Sequence, residues 1–148
     1  MKRIIMLVED NPDDITLAKR VFRKCNLTDN VVVTRDGVEA LEYLLKKDED
    51  DDDRSTSDLP AVIFMDLKMP RMDGIETLKV LRSNRKTAFI PVVMLTSSDE
   101  EWDIRQCYRC GANSYIRKPI DFNRFTEVMQ LLSTYWLTIN ELPGEKGI

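Results

Sequence analysis

The chain has 148 residues, 43% hydrophobic and 32% charged, an ordinary balance for one globular domain with a core of ordinary size. Its net charge of −4 argues against a nucleic-acid surface, and its apolar runs are far too short to cross a bilayer. It contains no histidine, which excludes a histidine base and any zinc site with histidine ligands.

Met1-Lys2-Arg3 followed by Ile4–Val8 faintly resembles a signal peptide, but Glu9 and Asp10 close the apolar stretch too early. With no export signal and three cysteines, the expected setting is a reducing cytoplasm. The first strand is expected over about Arg3–Val8. Asn11 then reads as a helix N-cap, with Pro12 at the first helical position and Asp13 and Asp14 facing the dipole. Ile15, Ala18, Val21, Phe22 and Cys25 form one apolar stripe at helical spacing. Val31–Thr34 is a short second strand, and Asp36-Gly37 opens a second helix with Val38, Leu41, Leu44 and Leu45 inward. Residues 46–59 are polar and hold six consecutive acids, Asp48 to Asp53, which reads as a solvated loop insertion.

Ala61–Met65 is the third strand. Asp73 caps a third helix carrying Ile75, Leu78 and Leu81, and Pro91–Leu95 is the fourth strand. Ser98-Asp99-Glu100-Glu101 fits a capping box opening a fourth helix, which Gly111 closes in the left-handed conformation. Asn113–Arg117 is a shorter fifth strand. Asp121 caps the last helix, with Phe122, Phe125, Val128, Met129, Leu132 and Trp136 on its inner stripe. The tail after Ile139 is expected to be loosely held. Strand-like runs alternating with helical periods argue for a βα repeat and a parallel sheet, without internal repeat or second domain.

Three apolar runs stop abruptly at Glu9-Asp10, at Asp66 and at Thr96. Runs of that kind read as strands buried on both faces of a parallel sheet, and ligands lie beyond the carboxyl ends of such strands. Glu9, Asp10, Asp66, Thr96 and Lys118 are therefore expected at one edge. Three carboxylates, a hydroxyl and an ammonium suit Mg²⁺ and a phosphoryl group. Asp10 and Asp66 supply metal ligands, and Glu9, longer and differently directed, a water-mediated one. Asp66 also fits as a nucleophile toward phosphorus, because it ends the expected central strand and a tight turn with Pro70 and Gly74 follows it. Lys118 neutralises phosphoryl oxygens as a point charge. For any single acid, a helix cap or a solvated loop residue would be the better reading; the set together carries the argument.

These motifs resemble the receiver domain of two-component response regulators over about Arg3 to Ser133. The likeness rests on Val8-Glu9-Asp10-Asn11, on Met65-Asp66-Leu67-Lys68-Met69-Pro70-Arg71-Met72-Asp73-Gly74, on Leu95-Thr96-Ser97 and on Lys118-Pro119. It implies an α/β, doubly wound, flavodoxin-like fold of five parallel strands in the order 2-1-3-4-5 with five helices, as a receiver domain over 1–138 and a tail over 139–148. It implies that Asp66 accepts a phosphoryl group from the histidine of a sensor kinase. Mg²⁺ would be held by Asp10, Asp66 and the Lys68 backbone carbonyl, with Glu9 in the outer shell. Thr96 would bind the phosphoryl group and Tyr115 rotate inward behind it, while Lys68 and Ser98 tune the phosphate lifetime. The Lys118–Pro119 bond would be cis. Glu9 stands where aspartate is commoner, and the acidic insertion is not part of the general pattern.

The Glu9–Asp14 start, the longer loop before the third strand and the Tyr135-Trp136-Leu137-Thr138 tail resemble the single-domain response regulators of the cyanobacterial phytochrome type. A phytochrome-type sensor kinase is then the expected partner. With no output domain expected after the receiver segment, the signal would pass to a downstream protein, a phosphorelay partner or a second copy. Three rival readings are weaker. An unphosphorylated adaptor usually loses the acid pair or the lysine, and both are present. An aspartate-nucleophile hydrolase usually has a second aspartate where Lys68 stands. A redox pair Cys107-x-x-Cys110 would normally open a helix, and this one ends one.

Overall fold

The computed structural model describes residues 3–46, 59–118 and 121–143. The acidic run Asp48–Asp53 and the Lys118–Pro119 bond lie outside these residues. In chain order the elements are β1 (Ile5–Val8), α1 (Pro12–Lys24), β2 (Val31–Thr34), α2 (Gly37–Leu45), β3 (Val62–Met65), α3 (Gly74–Ser83), β4 (Val92–Thr96), α4 (Glu101–Arg109), β5 (Ser114–Arg117) and α5 (Phe122–Thr134). The strands form one parallel sheet in the order β2-β1-β3-β4-β5. This is the doubly wound architecture expected above, with β3 at its centre.

The period of two along buried strands divides the core between the faces. Met6, Val8, Ile63, Met65, Val92 and Met94 pack with Ala40, Leu44, Leu78, Leu81 and Cys107 from α2, α3 and α4. Ile5, Leu7, Val62, Phe64, Val93 and Leu95 pack with Ala18, Val21, Phe22, Phe125 and Met129 from α1 and α5. β1, β3 and β4 are buried at every position, which is why their sequences are unbroken apolar runs. Each fully buried aliphatic or aromatic side chain contributes about 1.5–3 kcal/mol, so the helices owe their stability mainly to these two faces.

Local chemistry sets the helix starts. The Asn11 side chain accepts from the amides of Asp13 and Asp14, at 2.8 and 3.2 Å. Asp36, Asp73 and Asp121 each accept one amide from the first turn of the helix that follows. Gly111, at φ 105°, closes α4 in the left-handed region. On α2 the buried residues are Gly37, Ala40 and Leu44, while Val38, Leu41 and Leu45 lie at the margin.

Two features depart from the sequence reading. The Ser98 capping box does not form: α4 begins at Glu101 with Glu100 as its N-cap. The Ser98 hydroxyl accepts the Glu100 amide at 3.3 Å and donates to Asp103 Oδ2 at 2.6 Å. The chain past α5 continues as a π-helical turn, Tyr135–Ile139. Arg3 holds it by donating to the carbonyls of Leu137 and Asn140 at 2.9 and 3.0 Å, so Asn140 is anchored where a loose tail was expected.

Candidate functional site

Backbone bonds at the carboxyl edge of the sheet fix where each side chain leaves its strand. The Glu9 amide donates to Thr34 O, the Asp66 amide to Val8 O and the Lys118 amide to Thr96 O, all at 2.8–3.0 Å. The edge therefore brings together residues that the sequence separates by more than a hundred positions. Carboxylate oxygens of Glu9, Asp10 and Asp66 all lie within 4.8 Å of one another. Asp66 Oδ1 accepts the amide of Leu67 at 2.8 Å, leaving Oδ2 toward the cluster, 3.8 Å from Lys118 Nζ.

Lys118 Nζ donates to Glu9 Oε1 at 2.6 Å and to Asp14 Oδ2 at 2.9 Å. Burial opposes its charge, but these two bonds and the nearby Asp66 outweigh burial and hold the ammonium above its usual range. Glu9 is almost wholly buried. Burial, helped by the Asp66 charge, pushes its carboxyl up to about 7 against the opposing bond from Lys118. Glu9 Oε2 also accepts the Asn11 amide at 3.2 Å. One ammonium thus faces Glu9, Asp14 and Asp66, with Asp10 beside them. That excess of negative charge on oxygen donors fits a hard divalent cation. Glu9 spends one oxygen on Lys118 and the other on the Asn11 amide, which fits a place outside the inner set of ligands.

The turn after Asp66 is tightly built. Gly74 N donates to Leu67 O at 2.8 Å, and a Cβ on Gly74 would lie 2.6 Å from the Asp66 carbonyl oxygen. Arg71 adopts φ 62°, a conformation costly for a side chain of its size, and its guanidinium clamps Asp36 at 2.8 and 3.1 Å. This bond pair anchors the β3–α3 turn to the start of α2.

Thr96 is buried at the end of β4, and its Oγ1 accepts the Ser98 amide at 3.3 Å. The hydroxyl of half-buried Tyr115 donates to Ser98 O at 2.9 Å. Ser98 is therefore tied to both residues expected to move on activation. Lys68 projects into solvent, with Nζ 4.0 Å from Asp103 Oδ1. Two partners escaped the sequence reading. Asp14 reads in the sequence as a residue that complements the helix dipole, and nothing in the sequence marks Asp103. The Cys107 thiol is pushed up to about 11, mainly by burial, the opposite of what a redox pair with Cys110 would need.

Residues 5–130 match the family of response regulator receiver domains. The chain belongs to that family. It is 36% identical over 141 residues to the probable methanogenesis regulatory protein FilR2 of Methanothrix harundinacea, across 95% of this chain and 88% of that protein. Among solved structures it resembles the phosphorylated cyanobacterial phytochrome response regulator RcpA, with TM-score 0.84 and 33% identity over 97% of this chain and 99% of that one. It also resembles the Mn²⁺-bound form of the response regulator Rcp1, a protein of Synechocystis, with TM-score 0.80 and 30% identity over 95% and 99%. This receiver domain is thus similar to the cyanobacterial phytochrome response regulators. No described helix is long and apolar enough to cross a membrane.

Proposed function

We propose that this receiver accepts a phosphoryl group on Asp66 from the phosphohistidine of a sensor kinase, and signals by altering its protein-binding surface. The observation that carries this reading is the convergence of Asp66, Asp10, Glu9 and Lys118 at one sheet edge. Asp66 Oδ2 forms the new bond to phosphorus while the P–N bond to the donor imidazole breaks. The electron pair stays on that ring nitrogen. Lys118 neutralises the phosphoryl oxygens, and the amide of Leu67 keeps the other Asp66 oxygen fixed. Asp10, Asp66 and the Lys68 carbonyl would hold Mg²⁺, with Glu9 outside them; when bound, it supplies charge neutralisation between carboxylate and phosphoryl oxygens.

The aspartyl phosphate adds about −1.5 to −2 charges. Thr96 turns its hydroxyl toward the new anion and loosens its contact with the Ser98 amide. Tyr115 then gives up Ser98 O and swings into the space beside Thr96. The two packings are in equilibrium, and phosphorylation shifts their populations at the α4–β5–α5 surface. Hydrolysis reverses the event: water oxygen bonds to phosphorus, the Asp66–phosphorus bond breaks, and dihydrogen phosphate leaves a free carboxylate. Lys68 and Ser98 flank that path and set its rate. A phytochrome-type kinase fits as donor, and a downstream protein or a second copy as the reader of the altered face.

Incubation with a small acyl phosphodonor and Mg²⁺, followed by intact-mass measurement, tests the reading. One labile phosphoryl adduct that requires the metal and is absent from Asp66→Asn is expected. An adduct that persists in Asp66→Asn, or none from any donor including sensor kinases, would sink the proposal.

A further inference from the structure

Asp103 lies on the first turn of α4, away from the acid cluster, and is buried at 3% exposure. A buried carboxylate is retained at a cost unless its oxygens are used, and each oxygen of Asp103 faces a different residue. Oδ2 accepts the Ser98 hydroxyl at 2.6 Å. Oδ1 lies 4.0 Å from the ammonium of Lys68. Ser98 comes two positions after Thr96, and Lys68 two positions after Asp66. One carboxylate therefore spans the two loops that leave the phosphoryl site, reaching the side chain of each that flanks it. Ser98 also donates its amide to Thr96 Oγ1 and accepts the Tyr115 hydroxyl at its carbonyl, which places Asp103 beside the moving parts of the switch.

We propose that Asp103 is a positioning residue that shortens the life of the aspartyl phosphate by drawing the Lys68 ammonium away from it. This rests on the reading that Asp66 is phosphorylated. Lys68 is largely exposed, with 73% of its side chain in solvent, so it is free to swing. The new phosphoryl dianion and the Asp103 carboxylate compete for the same ammonium. Drawn to the phosphoryl oxygens, Lys68 lays its stem across the approach of the attacking water. Held by Asp103, it leaves that approach open. The Ser98 bond keeps the carboxylate aimed at Lys68, because it fixes the rotamer of a side chain that has no other hydrogen-bond donor among the described residues.

The test is the half-life of the phosphoryl adduct in four proteins: wild type, Asp103→Asn, Lys68→Ala and the double variant. Asn keeps the shape and an acceptor for Ser98 but removes the charge that attracts Lys68. We expect Asp103→Asn to lengthen the half-life by about threefold, the scale of an ion pair whose lysine lies in solvent. Lys68→Ala shortens it, and Asp103→Asn adds nothing when Lys68 is absent. A structural role for Asp103 would act equally with or without Lys68, so equal effects in both backgrounds overturn the proposal, as does an unchanged half-life. If Asp103→Asn does not fold, the exposed Lys68→Ala change still decides: a half-life equal to wild type refutes the idea. Adduct formation in the wild type separates the two levels. Its absence defeats the receiver reading and this inference with it, whereas its presence with no Lys68-dependent effect defeats only the inference.

Discussion

Lys118 shows how much of the site depends on single contacts. Its ammonium balances Glu9, Asp14 and Asp66, and it is the only cation among the described residues paired to that cluster. Lys118→Ala should leave the sheet intact while slowing phosphorylation by about a hundredfold, the cost typical of deleting one preorganised donor to a developing anion. The initial rate of adduct formation measures this, and a rate within a few-fold of wild type would contradict it. At this scale the sequence was legible where chemistry sat at the end of a buried apolar run, as for Asp10, Asp66 and Thr96. It was not legible for Asp14 and Asp103. Each looks like an ordinary first-turn acid, and their partners come from elsewhere in the chain: Lys118 lies 104 positions from Asp14, and Lys68 on another loop approaches Asp103.

Between elements, Asp36 joins two functions. It caps α2 by accepting the Glu39 amide at 2.9 Å, and its pairing with Arg71 fixes the turn that follows Asp66. The Arg71 hydrogen bonds hold the Asp36 carboxyl below its usual range, so the ionised form favours the fold. That contribution is present above the ordinary carboxylate pKa and is lost as pH falls through the lowered one. Asp36→Ala should cost about 1–2 kcal/mol through the lost cap, read as a lower urea midpoint, and a midpoint unchanged at neutral pH would contradict the account. Gly74→Ala should cost about 1–3 kcal/mol, because its Cβ would meet the Asp66 carbonyl and Met94. It should also slow the proposed phosphorylation, since the displaced backbone is that of Asp66. The strands were legible because parallel strands buried on both faces leave continuous Val, Ile, Leu and Met runs. The Ser98 capping box does not form because the helix begins two residues later than the pattern suggests: the Ser98 oxygen accepts only the Glu100 amide just before the helix, and its hydrogen goes to the Asp103 carboxylate.

Over the whole molecule, two apolar layers on a parallel sheet make the carboxyl edge a firm platform, with Thr96 and Tyr115 on β4 and β5 and Lys68 and Ser98 on the loops that leave it. The alternation of strands and helices pointed to this architecture, while the strand order came from the family resemblance, because hydrophobic patterning does not say which strands are neighbours. The closure of the C-terminal turn on Arg3 was not legible either. An arginine beside a strand carries no sign of carbonyls more than 130 positions away. Arg3→Ala should lower stability by about 1.5–3 kcal/mol, the range for hydrogen bonds made by a charged group, and speed amide exchange in residues 135–140. Unchanged exchange there would show that the apolar contacts of Trp136 and Leu137 hold the turn alone.

The proposed phosphoryl transfer makes one bond on one residue. Borohydride reduction of the freshly phosphorylated protein converts an acyl phosphate to the alcohol, and peptide mass spectrometry then locates it. The account predicts homoserine at position 66 alone, formed only when Mg²⁺ and phosphodonor are both supplied. Homoserine at position 10, or a phosphoryl group stable to reduction on a serine or threonine, would contradict it.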